Sequence, residues 1–178
     1  RQHFDSIQGG SPSGCEQWIP TLKARDREKP FFMWFAATDA HRGWSKNAVD
    51  PPHTNKEVVV PPYMHDTEDV RKDLALYYDE VSRMDEYVGK VVAELKRQEV
   101  FDNTVLIVMA DNGRPFPRCK TTMYDSGIRT PFVVSWPQEV EAGQVNKNLV
   151  SSVDIASTFV ELAGIDIPDS FQGKSFAR

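Results

Sequence analysis

Two short, unbroken apolar runs constrain this chain most: Phe31-Phe32-Met33-Trp34-Phe35-Ala36-Ala37 and Thr104-Val105-Leu106-Ile107-Val108-Met109-Ala110. Each is bounded by punctuation, Pro30 and Thr38-Asp39 for the first, Asp102-Asn103 and Asp111-Asn112 for the second. Such runs suit strands buried on both faces. Between them Val70, Leu74, Tyr77, Val81, Met84, Val88, Val91 and Leu95 recur at spacings of three and four, the stripe of a long amphipathic helix. Asp66 or Thr67 caps it, and Glu68 and Asp69 suit its positive end. Gly89, inside the stripe, is expected to admit a close neighbour. The same period fits a coiled coil, but strands on both sides favour a helix covering a sheet.

The rest of the chain extends this pattern. Residues 1–14 are rich in Gly and Ser and read as loop, and 17–26 as a short helix. Residues 42–65, with Pro51-Pro52 and Pro61-Pro62, form a long loop with an extended piece at Val58–Val60. Loops of that length inside compact domains are usually functional. After a second proline-broken loop, Pro131 to Trp136 is a third strand, and a helix opened by Ser152 or Asp154 closes at Gly164. Strand, helix, strand, strand, helix is an α/β order. A parallel-rich sheet is expected, with 31–37 and 104–110 as neighbours and His41 and Asp111 at one edge, where ligands of open α/β sheets bind.

Composition narrows the function. The 178 residues are 40% hydrophobic, enough for the core of one domain. With 21 basic and 26 acidic residues the net charge is −5, which argues against a nucleic-acid binder acting by bulk electrostatics. No apolar stretch approaches the ~18 residues of a membrane helix. Arg1-Gln2-His3-Phe4-Asp5 opens without an apolar signal-peptide core. Cys15 and Cys119 make no disulfide framework, have no metal-site spacing and read as structural.

Chemistry concentrates where the strands end. Asp111 and Asn112 offer two hard oxygen donors suited to Ca²⁺ or Mg²⁺, and Gly113 lets the backbone turn sharply. Read alone, the same tripeptide is an ordinary turn. His41 suits an anion or a general acid, or is a solvated loop histidine. His3, His53 and His65 lie in polar or proline-rich loops and take no role. Arg114, Arg118, Lys120 and Arg129 set four cations against Asp111 and Asp125, which in an acidic chain points to an anionic ligand. A solvated charged loop is the alternative.

Taken together, these residues resemble the sulfatases of the alkaline phosphatase superfamily. Pro30 to His41 looks like that family's strand ending in an active-site histidine. Tyr78, Val81, Asp85, Gly89 and Leu95 look like its long helix. Asn103 to Gly113, then Lys120, then Tyr124-Asp125-Ser126-Gly127-Ile128-Arg129-Thr130-Pro131 follow its order of metal pair, lysine and Gly-Ile-Arg. Ser152-Val153-Asp154-Ile155 to Ile165 and Gln172-Gly173-Lys174-Ser175 resemble its closing helix and exit loop. The likeness covers about residues 28–176, and Asp111–Arg118 is most similar to the heparan N-sulfatase branch.

The resemblance implies a three-layer α/β sandwich with a mostly parallel central sheet, incomplete at its N-terminus, so that 1–178 is a partial catalytic domain. It implies hydrolysis of a sulfate ester or sulfamate, as on a sulfated glycan, with Ca²⁺ (or Mg²⁺) held in part by Asp111 and Asn112. His41 and Lys120 would then be catalytic, gripping sulfate oxygens, and Arg114 and Arg118 would bind substrate. The family nucleophile is a formylglycine made from Cys or Ser in a Cys/Ser-x-Pro/Ala-x-Arg motif; Cys15-Glu16-Gln17-Trp18-Ile19 departs from it. The nucleophile and the paired metal aspartates are therefore expected upstream, in the N-terminal half of the domain, and this chain alone is expected to be inactive. The family implies a periplasmic, secreted or lysosomal setting. Two alternatives stay open: a phosphodiesterase or phosphonate hydrolase of the same superfamily, and a non-catalytic remnant that binds an anionic glycan.

Overall fold

The structure, a computed structural model, describes residues 13–177. His3 and most of the Gly/Ser-rich start lie outside them. The elements are α1 (Trp18–Ala24), α2 (Glu68–Arg97), β1 (Leu106–Met109), α3 (Asp125–Ile128), β2 (Phe132–Ser135) and α4 (Asp154–Leu162). They fall into two compact units, residues 1–140 and 141–178.

In the first unit α2 is the organising element. Thr67 caps it as expected, its Oγ1 accepting from Val70 N at 3.3 Å, with Glu68 and Asp69 in the first turn and Lys96 and Arg97 in the last. Each half of the helix serves a different core. Val91 and Leu95 pack with Cys15, Trp18 and Leu22, and the inward side chains Phe31, Met33, Phe35 and Ala37 close on that cluster. The Trp18 and Phe35 rings stack at 5.3 Å. Leu74 and Ala75 pack with Val58, Phe116 and Cys119, bordered by Trp44, Tyr63 and Tyr77. The long loop and the loop after β1 are thus drawn onto the N-terminal half of one helix.

The expected α/β class is what forms, but its sheet differs from the expected one. Among the described residues it has two strands, β1 and β2, paired antiparallel with Leu106 opposite Ser135 and Met109 opposite Phe132. Residues 31–37 are extended but belong to no sheet, and they are buried on one face only: Phe32 is 56% and Trp34 72% exposed. An unbroken apolar run reads the same whether one face is covered or two, so periodicity alone could not separate the cases. Two details of α2 also differ. Val81 is exposed, and a Cβ on Gly89 would meet open space rather than a close neighbour.

The second unit is built around α4. Asp154 accepts from Ser151 N and Lys174 N, both at 2.8 Å, and these bonds hold its carboxyl below the usual range. Ser157 donates to the Gly173 carbonyl at 2.8 Å, and Thr158 accepts from Phe176 N at 3.1 Å. The closing helix and exit loop are therefore stitched together by side-chain bonds.

Candidate active site

The first strand end is Asp111-Asn112-Gly113. Ala110 N donates to the Pro131 carbonyl at 3.2 Å, prolonging the strand pair to the site. Gly113 N then donates to the Gly127 carbonyl at 3.0 Å, and a Cβ on Gly113 would lie 2.2 Å from the Ser126 oxygen. The backbone bends at residues 111–113, as expected, and the glycine also serves this close approach, with its φ outside the left-handed region. Asp111 is exposed and pairs with no cation among the described residues. Asn112 spends its Nδ2 on the Gly113 carbonyl at 3.1 Å, and its Oδ1 has no donor among the described residues.

The loop that follows carries the cations. Phe116 anchors it, stacked on Trp44 at 6.1 Å and edge-on to Tyr77 at 5.4 Å. Lys120 N donates to the Arg114 carbonyl at 3.1 Å, closing a turn. Arg118 (φ +62°) and Thr121 (φ +66°) both adopt left-handed backbone around Lys120. Such positions cost on the order of 1–3 kcal/mol each in non-glycine residues and persist where surroundings fix them. Here Ser126 Oγ fixes the first by donating to the Arg118 carbonyl at 2.6 Å, while Thr122 Oγ1 donates to the neighbouring Cys119 carbonyl at 2.7 Å.

The four basic residues singled out in this segment have a common property. Arg114, Arg118, Lys120 and Arg129 form no ion pair with a carboxylate among the described residues, whereas Arg42, Arg71, Arg83 and Arg97 all do. Arg114 instead donates to Tyr63 Oη at 2.9 Å, and Tyr63 Oη lies 3.1 Å from the buried Cys119 Sγ. Burial alone would raise the Cys119 thiol, but Tyr63, Arg114 and Ser126 outweigh it and hold it below its ordinary value. Arg118 lies over the rings of Tyr124 at 4.4 Å and Tyr63 at 5.6 Å.

His41 is exposed, on the loop after residues 31–38. Its Nδ1 lies 2.6 Å from the Arg42 carbonyl; since a carbonyl only accepts, Nδ1 carries the proton in that contact and Nε2 is left for a ligand. The loop is pinned to α2 on both sides. Arg83 grips Asp39 at 2.6 and 2.8 Å, and Glu80 accepts from Ser45 N at 2.6 Å. Asp73 accepts from Trp44 Nε1 at 2.6 Å and pairs with Arg42, which also donates to the Pro115 carbonyl at 2.9 Å. The His41 loop and the Arg114–Lys120 loop therefore meet directly.

Sequence reasoning missed Arg42, Tyr63, Asp73, Glu80 and Arg83. The available signal was the charge of Asp73, Glu80 and Arg83 at spacings of seven and three along one side of α2, in register with its apolar stripe. His53, assigned no role, caps buried Asp79 through its N at 2.7 Å and Nδ1 at 2.8 Å.

Asp111 and Asn112 suit a hard cation as two of its ligands, since among the described residues one carboxylate and one amide oxygen have no hydrogen-bond partner at a strand end. Among the described residues no three His, Cys, Asp or Glu side chains are grouped to hold a metal. Nor does Cys15 suit a nucleophile precursor. It is fully buried in the α1 core, and burial pushes its thiol up to about 11.

The Sulfatase family profile matches residues 15–165. The chain belongs to the sulfatase family. It is 32% identical over 149 residues to an ulvan-active sulfatase of Formosa agariphila, covering 82% of this chain and 25% of that protein. It is likewise 32% identical over 174 residues to human N-sulphoglucosamine sulphohydrolase, covering 83% of this chain and 34% of that one. A structure from work on glycosaminoglycan metabolism by Bacteroides thetaiotaomicron superposes with a TM-score of 0.77 at 24% identity, covering 92% of this chain and 37% of that chain. A phosphonate monoester hydrolase of Silicibacter pomeroyi superposes with a TM-score of 0.55 at 27% identity, covering 65% and 24%. The chain thus spans a quarter to a third of the length of these curated relatives.

Proposed function

We propose that these residues supply one side of an active site that hydrolyses a sulfate ester or sulfamate on a sulfated glycan. The observation that carries this reading is the set of carboxylate-free cations, Arg114, Arg118, Lys120 and Arg129, beside Asp111 and Asn112 in a chain of net charge −5. Lys120 donates to sulfate oxygens, as does His41 Nε2 when the ring is the imidazolium with Nδ1–H on the Arg42 carbonyl, and Arg118, steadied by two rings, holds further anionic groups of the substrate. Charge develops on those oxygens and on the leaving group in the transition state, so donors fixed in advance lower the barrier. Asp111 and Asn112 would hold Ca²⁺, or Mg²⁺, with the remaining ligands coming from elsewhere. When bound, that ion supplies Lewis-acid stabilisation of the same charge. No residue described here suits the family's formylglycine, so no covalent step is assigned to this chain.

The likeness to a phosphonate monoester hydrolase supports a second reading, action on a phosphorus ester. Asn112, an amide oxygen, favours one hard ion over a two-zinc site. The test is hydrolysis of an aryl sulfate against an aryl phosphate by a polypeptide of the relatives' length containing these residues. Sulfate turnover that falls on the order of 10²–10³-fold in Lys120→Ala is the expected result. Preference for phosphate would establish the second reading, and sulfate turnover indifferent to Lys120→Ala and Asp111→Ala would overturn both.

A further inference from the structure

We infer that Arg42 is a positioning residue that sets the spacing between the loop carrying His41 and the loop carrying Lys120. The inference rests on the reading of those two side chains as sulfate-binding groups.

Its guanidinium, though half exposed, is engaged through all three nitrogens. Nε donates to the Pro115 carbonyl at 2.9 Å, Nη1 donates to Asp73 Oδ1 at 3.2 Å, and Nη2 pairs with Asp73 Oδ2. Its plane lies over the Phe116 ring at 4.9 Å and near the Trp44 ring at 5.2 Å. Three pieces of chain therefore meet on one planar group: its own loop, helix α2 and the loop after β1. The two ends of this bridge are short. Arg42 follows His41 directly, and Pro115 follows Arg114, whose carbonyl accepts from Lys120 N at 3.1 Å. Behind the bridge, Arg83 on Asp39 and Glu80 on Ser45 N stop the His41 loop from drifting along the helix.

An anion held by donors from two loops binds more tightly than to either alone, because the second contact forms at high effective concentration. That gain vanishes once the loops move independently. Lysine at position 42 would keep the charge but not the fork that reaches a carbonyl and a carboxylate at once.

The experiment is a titration of the isotopically labelled 178-residue chain with inorganic sulfate, read at the His41 ring and the Lys120 side chain by NMR. In the wild type both signals should move on one isotherm. Arg42→Lys should weaken the apparent Kd about tenfold, split the two isotherms and leave far-UV circular dichroism unchanged. Asp73→Asn, which loosens the bridge from its far end, should act in the same direction. Wild-type affinity with superimposable isotherms in both variants would overturn the positioning role. A wild-type chain silent at both residues would instead overturn the sulfate-binding reading beneath it.

Discussion

Arg83 and Asp39 form a two-point ion pair, at 2.6 and 2.8 Å, with the guanidinium 14% and the carboxylate 2% exposed. The pair joins the middle of α2 to the residue two places before His41. Asp39 raises the Arg83 pKa, chiefly through these hydrogen bonds, so the cation is fixed at all accessible pH.

Removing one partner should therefore strand a buried charge. Arg83→Ala is expected to cost about 3–5 kcal/mol in urea denaturation, and Arg83→Met with Asp39→Leu considerably less. Equal losses in the single and double variants would mean that the pair contributes packing alone.

The glycines divide into two kinds. Gly113 has the Ser126 oxygen 2.2 Å and Gly127 Cα 2.7 Å from where its Cβ would stand, whereas Gly89 faces open space in mid-helix. Gly113→Ala should destabilise by roughly 1–3 kcal/mol or more through overpacking of backbone on backbone. Gly89→Ala should stabilise by about 0.5–1 kcal/mol, the helix preference of alanine over glycine. Thermal unfolding of both variants checks the contrast.

Helix α2 and its N-terminal cap were legible in the sequence, because a stripe sustained over some seven turns with Asp66 or Thr67 at its head admits few other readings. Helices α1 and α4 and the strand positions near 106–109 and 132–135 were legible for similar local reasons, whereas α3 lies in a segment read as loop. What the sequence could not convey was pairing. The run 31–37 resembles a buried strand, yet its outward Phe32 and Trp34 are uncovered and its ladder is unformed among the described residues. The site divides in the same way. Of the candidate residues, Asp111 and Asn112 stand out by residue type at a strand end and Lys120 by its charge in the loop that follows. Arg42, Tyr63 and Asp73 act through partners 31 to 73 positions away, and no local pattern encodes those contacts.

Acid should weaken the α1–α2 end of the molecule. Arg97 and then Gln98 hold the Glu94 carboxyl down to about 2, from an ordinary value of 4.5. A depressed carboxyl stabilises the fold above its unfolded pKa, and the contribution disappears as pH falls through the folded one. The melting temperature should fall between about pH 4.5 and pH 2, and the fall should be shallower in Glu94→Gln. Parallel curves for the two proteins would show that Glu94 titrates alike folded and unfolded.

Asp111 and Asn112 are proposed as part of a metal site, and calorimetric titration of this chain with Ca²⁺ reads that out. Ca²⁺ takes ~6–8 oxygen ligands, so two side chains exchange only a minority of its water and the affinity should be low. Weak binding that disappears in Asp111→Ala is the expected result. Tight one-to-one binding that survives Asp111→Ala would contradict it, placing the ion elsewhere.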